Sequence, residues 1–196
     1  MRGRAARLRP NAQLFLVLVA IYLAIAVPFR SLAFMQGLTD VRPVAMLMPV
    51  YGVFFGPVGA WAFAVGTTVG DVVAGNFGWA SIGGFLANFA AVYVYFIVWN
   101  RLVKTRITLS DWRGLGQFFA SVVAATAVTV AILVPVVAIF EPTVDLAYFG
   151  QIVMINNCVF ALVPGIAIII IMESEYGMTP YREQRQGLSE LPSSQA

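Results

Sequence analysis

The sequence has no histidine, a single cysteine (Cys158) and few charges, with 12 Lys and Arg and 9 Asp and Glu among 196 residues. Each shortage removes a chemistry. Without histidine there is no His-dependent triad, no His-ligated haem and no ordinary zinc or copper site, and one cysteine makes neither an internal disulfide nor a CxxC pair. GxxxxGK[ST] and GxGxxG are both missing, which excludes a P-loop for ATP and a Rossmann turn for a dinucleotide. Uphill transport driven by ATP would therefore need another subunit to hydrolyse it. No cofactor or metal is expected.

What the chain does have is apolar length. Hydrophobic residues make up 60% of it and charged residues 11%, and the mean hydropathy is +0.85. Runs long enough to cross a hydrocarbon core, which takes about 20 helical residues, recur along the sequence. The expectation is an integral membrane protein. Arg2, Arg4, Arg7 and Arg9 precede the first run as they would in a signal peptide, but that run outlasts the usual stretch of roughly 7 to 15 residues and lacks a small-x-small cleavage site. It reads as a retained anchor.

The topology turns on RPVAMLMPVYGVFFGPVGAWAFAVGTTVGDVVAG, apolar almost without interruption over 43–74. As one helix it would be about 48 Å long, more than a bilayer needs. Gly56-Pro57 supplies a break, because proline removes a donor and disfavours helix at the preceding residue while glycine tolerates the turn. The spans are then 13–28, 41–55, 57–74, 78–103, 116–140 and 147–172. This predicts an all-α bundle of six transmembrane helices with both termini cytoplasmic. A basic segment, 1–12, precedes the bundle of 13–172, and a polar, mobile tail, 173–196, follows it. Charge supports the count: six spans place Arg101, Lys104, Arg106, Arg113, Arg182, Arg185 and the four N-terminal arginines inside, ten of the 12 basic residues. Arg30 and Arg42 remain outside with Asp40, Glu141 and Asp145. A basic inner face accounts for the net charge of +3 without nucleic acid.

Polar groups within the membrane are costly and so are candidates for function. Asp71, in GTTVGDVVAGNFGW, either caps the next helix or meets a ligand. Asn76 and Trp79 follow in the outer turn, where Trp79 serves either as an interfacial anchor or as a stacking surface for a flat heterocycle beside the amide. Asn88, Asn156 and Asn157 fall at one mid-bilayer depth, roughly 15 Å along their helices. Two arrangements answer that coincidence. The amides satisfy one another across helix interfaces, or they floor a polar pocket with Gln151, Tyr148 and Glu141 nearer its mouth and Arg42 and Asp40 in the loop above. The second arrangement suits a neutral or cationic ring with several donors and acceptors.

Small residues form another pattern. Ala20 and Ala24, Gly52 and Gly56, and Gly66 and Gly70 are three small-xxx-small pairs; the glycine pairs suit internal packing, and the alanine pair lies on the first helix. The order of these features resembles the substrate-binding S-components of energy-coupling factor transporters, six-helix membrane proteins that capture vitamins and related micronutrients. The likeness rests on A-x-x-x-A at Ala20 and Ala24, an outer loop, the Gly-rich double span VYGVFFGPVGAWAFAVGTTVGD and a basic loop after the fourth helix, and it covers about residues 13 to 172. It implies that the alanine groove faces a transmembrane T-component, that two cytoplasmic ATPases power the cycle, and that solute enters from outside beneath the loop 29–43. The stretch AFMQGLTDVRPVAMLMPVYG looks most like the queuosine-precursor type, whose pattern Q-x-R-x-S-E-A-L-x-x-L-P is matched at Arg42, Leu47 and Pro49. It departs at Val44 and Ala45, where Ser and Glu are expected. The substrate class is then a vitamin-like or deazapurine-like heterocycle. A self-sufficient facilitator or channel, with the amides lining a continuous path, is the alternative. An enzyme pairing Asp71 with Glu141 is the weakest reading, because no nucleophile or metal set accompanies them.

Overall fold

The structure, a computed structural model, describes residues 10–29, 33–35, 39–103, 109 and 111–189. Arg2, Arg4, Arg7, Arg9, Arg30, Lys104 and Arg106 lie outside the described residues. The described chain is helical apart from a short ribbon. Helix α1 runs Pro10–Phe29, and strands β1 (Ala33–Met35) and β2 (Thr39–Asp40) pair antiparallel. A 3-10 turn, Pro43–Met46, leads into α2 (Leu47–Val73), followed by α3 (Trp79–Ile97) with a π-helical extension, Val98–Val103. Then come α4 (Trp112–Phe140) and α5 (Leu146–Phe160), which continues through a π turn, Ala161–Gly165, into α6 (Ile166–Ser174). A short helix, α7 (Tyr181–Ser189), ends the described chain.

Among the described residues, five helical segments are long and apolar enough to cross a membrane: Asn11–Phe29, Pro43–Val73, Trp79–Val103, Trp112–Phe140 and Leu146–Ser174. The second of these folds back on itself. Gly56 has φ 56° and ψ −136°, a conformation open in practice only to glycine, and Pro57 follows it. In one straight helix Tyr51 and Phe63 would stand about 18 Å apart; here their rings are 5.9 Å apart and nearly perpendicular. A Cβ on Gly59 would lie 2.3 Å from the Tyr51 carbonyl oxygen. α2 is therefore a helical hairpin with limbs 47–55 and 57–73, as the Gly-Pro break predicts.

Contacts to the hairpin order the other helices. The Tyr51 hydroxyl donates to the Leu18 carbonyl at 2.6 Å, and Thr67 Oγ1 donates to the Tyr22 hydroxyl at 3.0 Å. Tyr22 also sets its ring edge-on to Phe63 at 4.8 Å, in a seat that exists because residue 66 has no side chain. The limb 47–55 presses on α3, where a Cβ at Gly52 would meet the Val92 carbonyl at 2.4 Å. These glycines serve internal close packing. Trp99 Nε1 donates to Ser121 on α4 at 3.4 Å, and the Trp79 and Phe140 rings stack at the far ends of α3 and α4. One end of the bundle thus carries the Gly56 turn, the extension Val98–Val103 and the start of α4. The other carries Phe29, Trp79, Phe140 and Asp145.

Two differences from the sequence reading have clear local causes. Helix α4 begins at Trp112, four residues before the expected span, because the Asp111 carboxylate accepts the Gly114 N–H at 2.8 Å. The segment 173–196, expected to be polar and mobile, contains α7 docked on the bundle. The Arg182 N–H donates to Asn100 Oδ1 at 2.8 Å, Gln184 Nε2 donates to the Phe54 carbonyl at 3.2 Å, and the Tyr181 ring covers Gly56.

Candidate functional site

The interior toward the Trp79 end is polar. Thr67, Asp71, Ser81, Asn88, Thr126, Thr129, Asn156 and Asn157 are all buried there, among helices whose other inward residues are apolar. Helical rise places Asn88 about 14 Å along α3 from Trp79 and Asn156 about 15 Å along α5 from Leu146, so the amides share one level.

Their hydrogen bonds bear on the two arrangements. Asn88 Nδ2 donates to the Gly84 carbonyl of its own helix at 2.8 Å, while its Oδ1 has no partner among the described residues although Asn88 is 1% exposed. Asn157 Nδ2 is likewise buried without a partner among the described residues. One orphan acceptor and one orphan donor at mid-depth mean that the amides do not fully satisfy one another. Each costs on the order of 1–3 kcal/mol while unpaired. A solute or water with complementary groups would recover that cost. Thr126 and Thr129, which the sequence reading passed over, have their hydroxyls engaged. Thr129 donates to the Ala125 carbonyl at 3.0 Å, and Thr126 accepts from the Cys158 thiol at 3.6 Å. Their one sequence signal is hydroxyls three residues apart, TAVT, within an apolar helix.

Asn156 has a different task. Its Oδ1 accepts the backbone N–H of Arg42 at 3.4 Å, which brings the head of the limb 43–55 down to the level of the amides. That limb is short: from Pro43 to the Gly56 turn is about 20 Å, against about 37 Å for α3 with its extension. Arg42, expected in the loop above, therefore stands at the level of Asn156. Strand β2 lies against α5.

The remaining candidates separate into two groups. Asp71 closes α2, its carbonyl accepting the Asn76 N–H at 2.9 Å in a Schellman turn with Gly75 at φ 71°. The Ser81 hydroxyl accepts the Gly78 N–H at 3.3 Å in the same corner. The Asn76 side chain is exposed, and Trp79 stacks on Phe140 at 4.7 Å, next to exposed Glu141. Tyr148 and Gln151 lie on the outward face of α5, with Ile155 one turn further on, whereas Phe149, Ile152, Val153 and Asn156 face in. The structure thus brings Arg42 and Asn156 together, buries Asn88 and Asp71, and leaves Asn76, Trp79, Glu141, Tyr148 and Gln151 on the surface.

Helix α1 buries the stripe Leu18, Tyr22 and Ala26 against the hairpin and turns Ala20 and Ala24 outward. Leu16, Val17, Ile21 and Val27 flank them, also exposed. Only 17% of the membrane-length window of α1 is buried, against 72% for that of α2. The alanine pair is therefore free of internal packing.

No protein family, curated protein or solved structure matches the chain. Fold and interior together define an all-helical protein of the multi-pass membrane type, with five to six apolar helices of membrane length and a buried polar layer between them.

Proposed function

We propose that the chain is the substrate-capture subunit of an ATP-driven micronutrient importer of the energy-coupling factor type. It takes a small heterocycle, vitamin-like or deazapurine-like, from the extracytoplasmic side and docks through Ala20 and Ala24 on a T-component served by two cytoplasmic ATPases. The Trp79 end faces outward, and the Gly56 end, with both termini, faces the cytoplasm of a cell membrane. Arg101, Arg113, Arg182 and Arg185 at the Gly56 end support that sidedness.

The observation that carries the reading is the pair of buried amide atoms with no partner among the described residues, Asn88 Oδ1 and Asn157 Nδ2. A flat ring offering one donor and one acceptor would complete both. The outward alanine notch on the least buried membrane-length helix supports a foreign helix there, and the lack of a nucleotide motif fits a partner that hydrolyses ATP.

Two variants separate the halves of this reading. Asn157→Leu removes an orphan donor, so the solute-free protein should gain up to about 1–3 kcal/mol and lose the thermal shift produced by heterocycles that bind the wild type. Ala24→Leu should keep that thermal shift and lose uptake in cells that carry the partner subunits. Passage of the same heterocycle into sealed liposomes containing this chain alone would instead establish the facilitator.

A further inference from the structure

We propose that a cleft at the Gly56 end binds the phosphate of an anionic phospholipid headgroup through Arg101, Arg182 and Arg185. The cleft, of about 660 Å³, opens between the last turns of α3 and helix α7, with Phe96, Asn100 and Tyr181 completing its walls.

Three cations dominate the polar lining of the cleft, which Gln186 shares. Asn100 is buried and already engaged: its Oδ1 accepts the Arg182 N–H at 2.8 Å and its Nδ2 donates to the Val53 carbonyl at 3.4 Å. Phe96 and Tyr181 meet edge to face at 5.9 Å, and the Arg101 guanidinium carbon lies 5.9 Å from the Phe96 ring centre, a cation–π distance. Arg182 and Arg185 are three apart on α7, one helical turn, and so share a side. Among the described residues none of the three guanidinium groups is paired with a carboxylate, and Glu183, the acid between two of them in sequence, does not line the cleft. Three like charges around one void repel each other until an anion enters. Guanidinium forks suit phosphate oxygens, which they hold with paired hydrogen bonds.

Depth identifies the source of that phosphate. From Trp79 to Arg101 is about 33 Å of helix, close to the roughly 30 Å of a hydrocarbon core. With Trp79 at one interface, Arg101 stands at headgroup level in the other. Leu102, the next residue, is 70% exposed and gives acyl chains a surface beside the charges. Basic pockets between helices at this level are where acidic headgroups bind. The inference is independent of solute capture and of which side is cytoplasmic.

The test uses the whole chain in detergent, supplied with equal amounts of phosphatidylglycerol and phosphatidylcholine, with retained lipid read by native mass spectrometry. Preferential retention of phosphatidylglycerol is expected. The double variant Arg182→Gln, Arg185→Gln should weaken that retention by roughly tenfold or more without moving the unfolding midpoint. Arg113→Gln, at the same end but outside the cleft, should retain lipid like the wild type. If the double variant does not fold, Arg101→Gln decides, and undiminished retention in it overturns the site. Equal losses in Arg113→Gln would reduce the effect to a diffuse basic face and overturn it too. Displacement of the lipid by an equal concentration of inorganic phosphate would overturn the lipid as the source.

Discussion

At the residue scale, glycines do separate jobs here, and the structure assigns each its own. Gly59 lies inside the hairpin, where an added Cβ would sit 2.3 Å from the Tyr51 carbonyl oxygen, and backbone cannot move aside as a side-chain tip can. Gly116, early in α4, has no heavy atom within 4 Å of its would-be Cβ. Gly59→Ala should therefore destabilise by roughly 1–3 kcal/mol, as overpacking does. Gly116→Ala should stabilise by about 0.5–1 kcal/mol through helix propensity. Thermal unfolding in one detergent would compare the two, and equal effects would contradict the hairpin packing. The break at Gly56-Pro57 was legible because both residues carry their backbone preferences openly. The role of Gly59 was not, since it depends on Tyr51 returning to face it across the turn. The amides illustrate the same limit: helical rise places Asn88, Asn156 and Asn157 at one level, but which of their atoms lack partners depends on rotation about each helix.

At the scale of elements, α7 is the least expected feature. Its sequence, YREQRQGLS, is polar nearly throughout, and polarity alone reads as a solvated tail. What holds it is tertiary: the buried Asn100 amide and the Phe54 carbonyl receive its first turn, and Tyr181 covers the hairpin turn. Asn100→Leu keeps the volume and removes the acceptor for the Arg182 N–H. Local opening of α7 should become roughly tenfold more frequent, corresponding to the loss of one buried hydrogen bond. Limited trypsin digestion would read this as faster cleavage after Arg182 and Arg185 with the remaining bundle intact. Unchanged cleavage would mean that the Tyr181 contact and the Gln184 bond to the Phe54 carbonyl secure the helix without Asn100. The start of α4 was misplaced for a related reason. Asp111 caps its helix through one short hydrogen bond, a signal that stands before the apolar run used to find the span.

At the scale of the whole molecule, hydropathy found the membrane-length helices because length and apolarity are local properties. Whether 43–73 crosses once or twice is not local. The answer lies in Tyr51 meeting Phe63, which brings the Gly56 turn to the same end as Asn100 and α7. The hairpin therefore makes a sidedness prediction. Reporter proteins inserted in the turns 75–77 and 142–144 should both report the side opposite to a reporter fused after residue 196. A reporter at 142–144 on the same side as the C-terminal one would refute the up-and-down order of the bundle.

The short limb has a consequence for how a solute would arrive. A limb that stops about 20 Å above the turn does not run the full height of its neighbours. Under the proposed capture function, a molecule descending beside it would shed its hydration shell in stages before it met the amides. The cost of dehydration would be spread along the descent, and selection would begin before the final seat is reached.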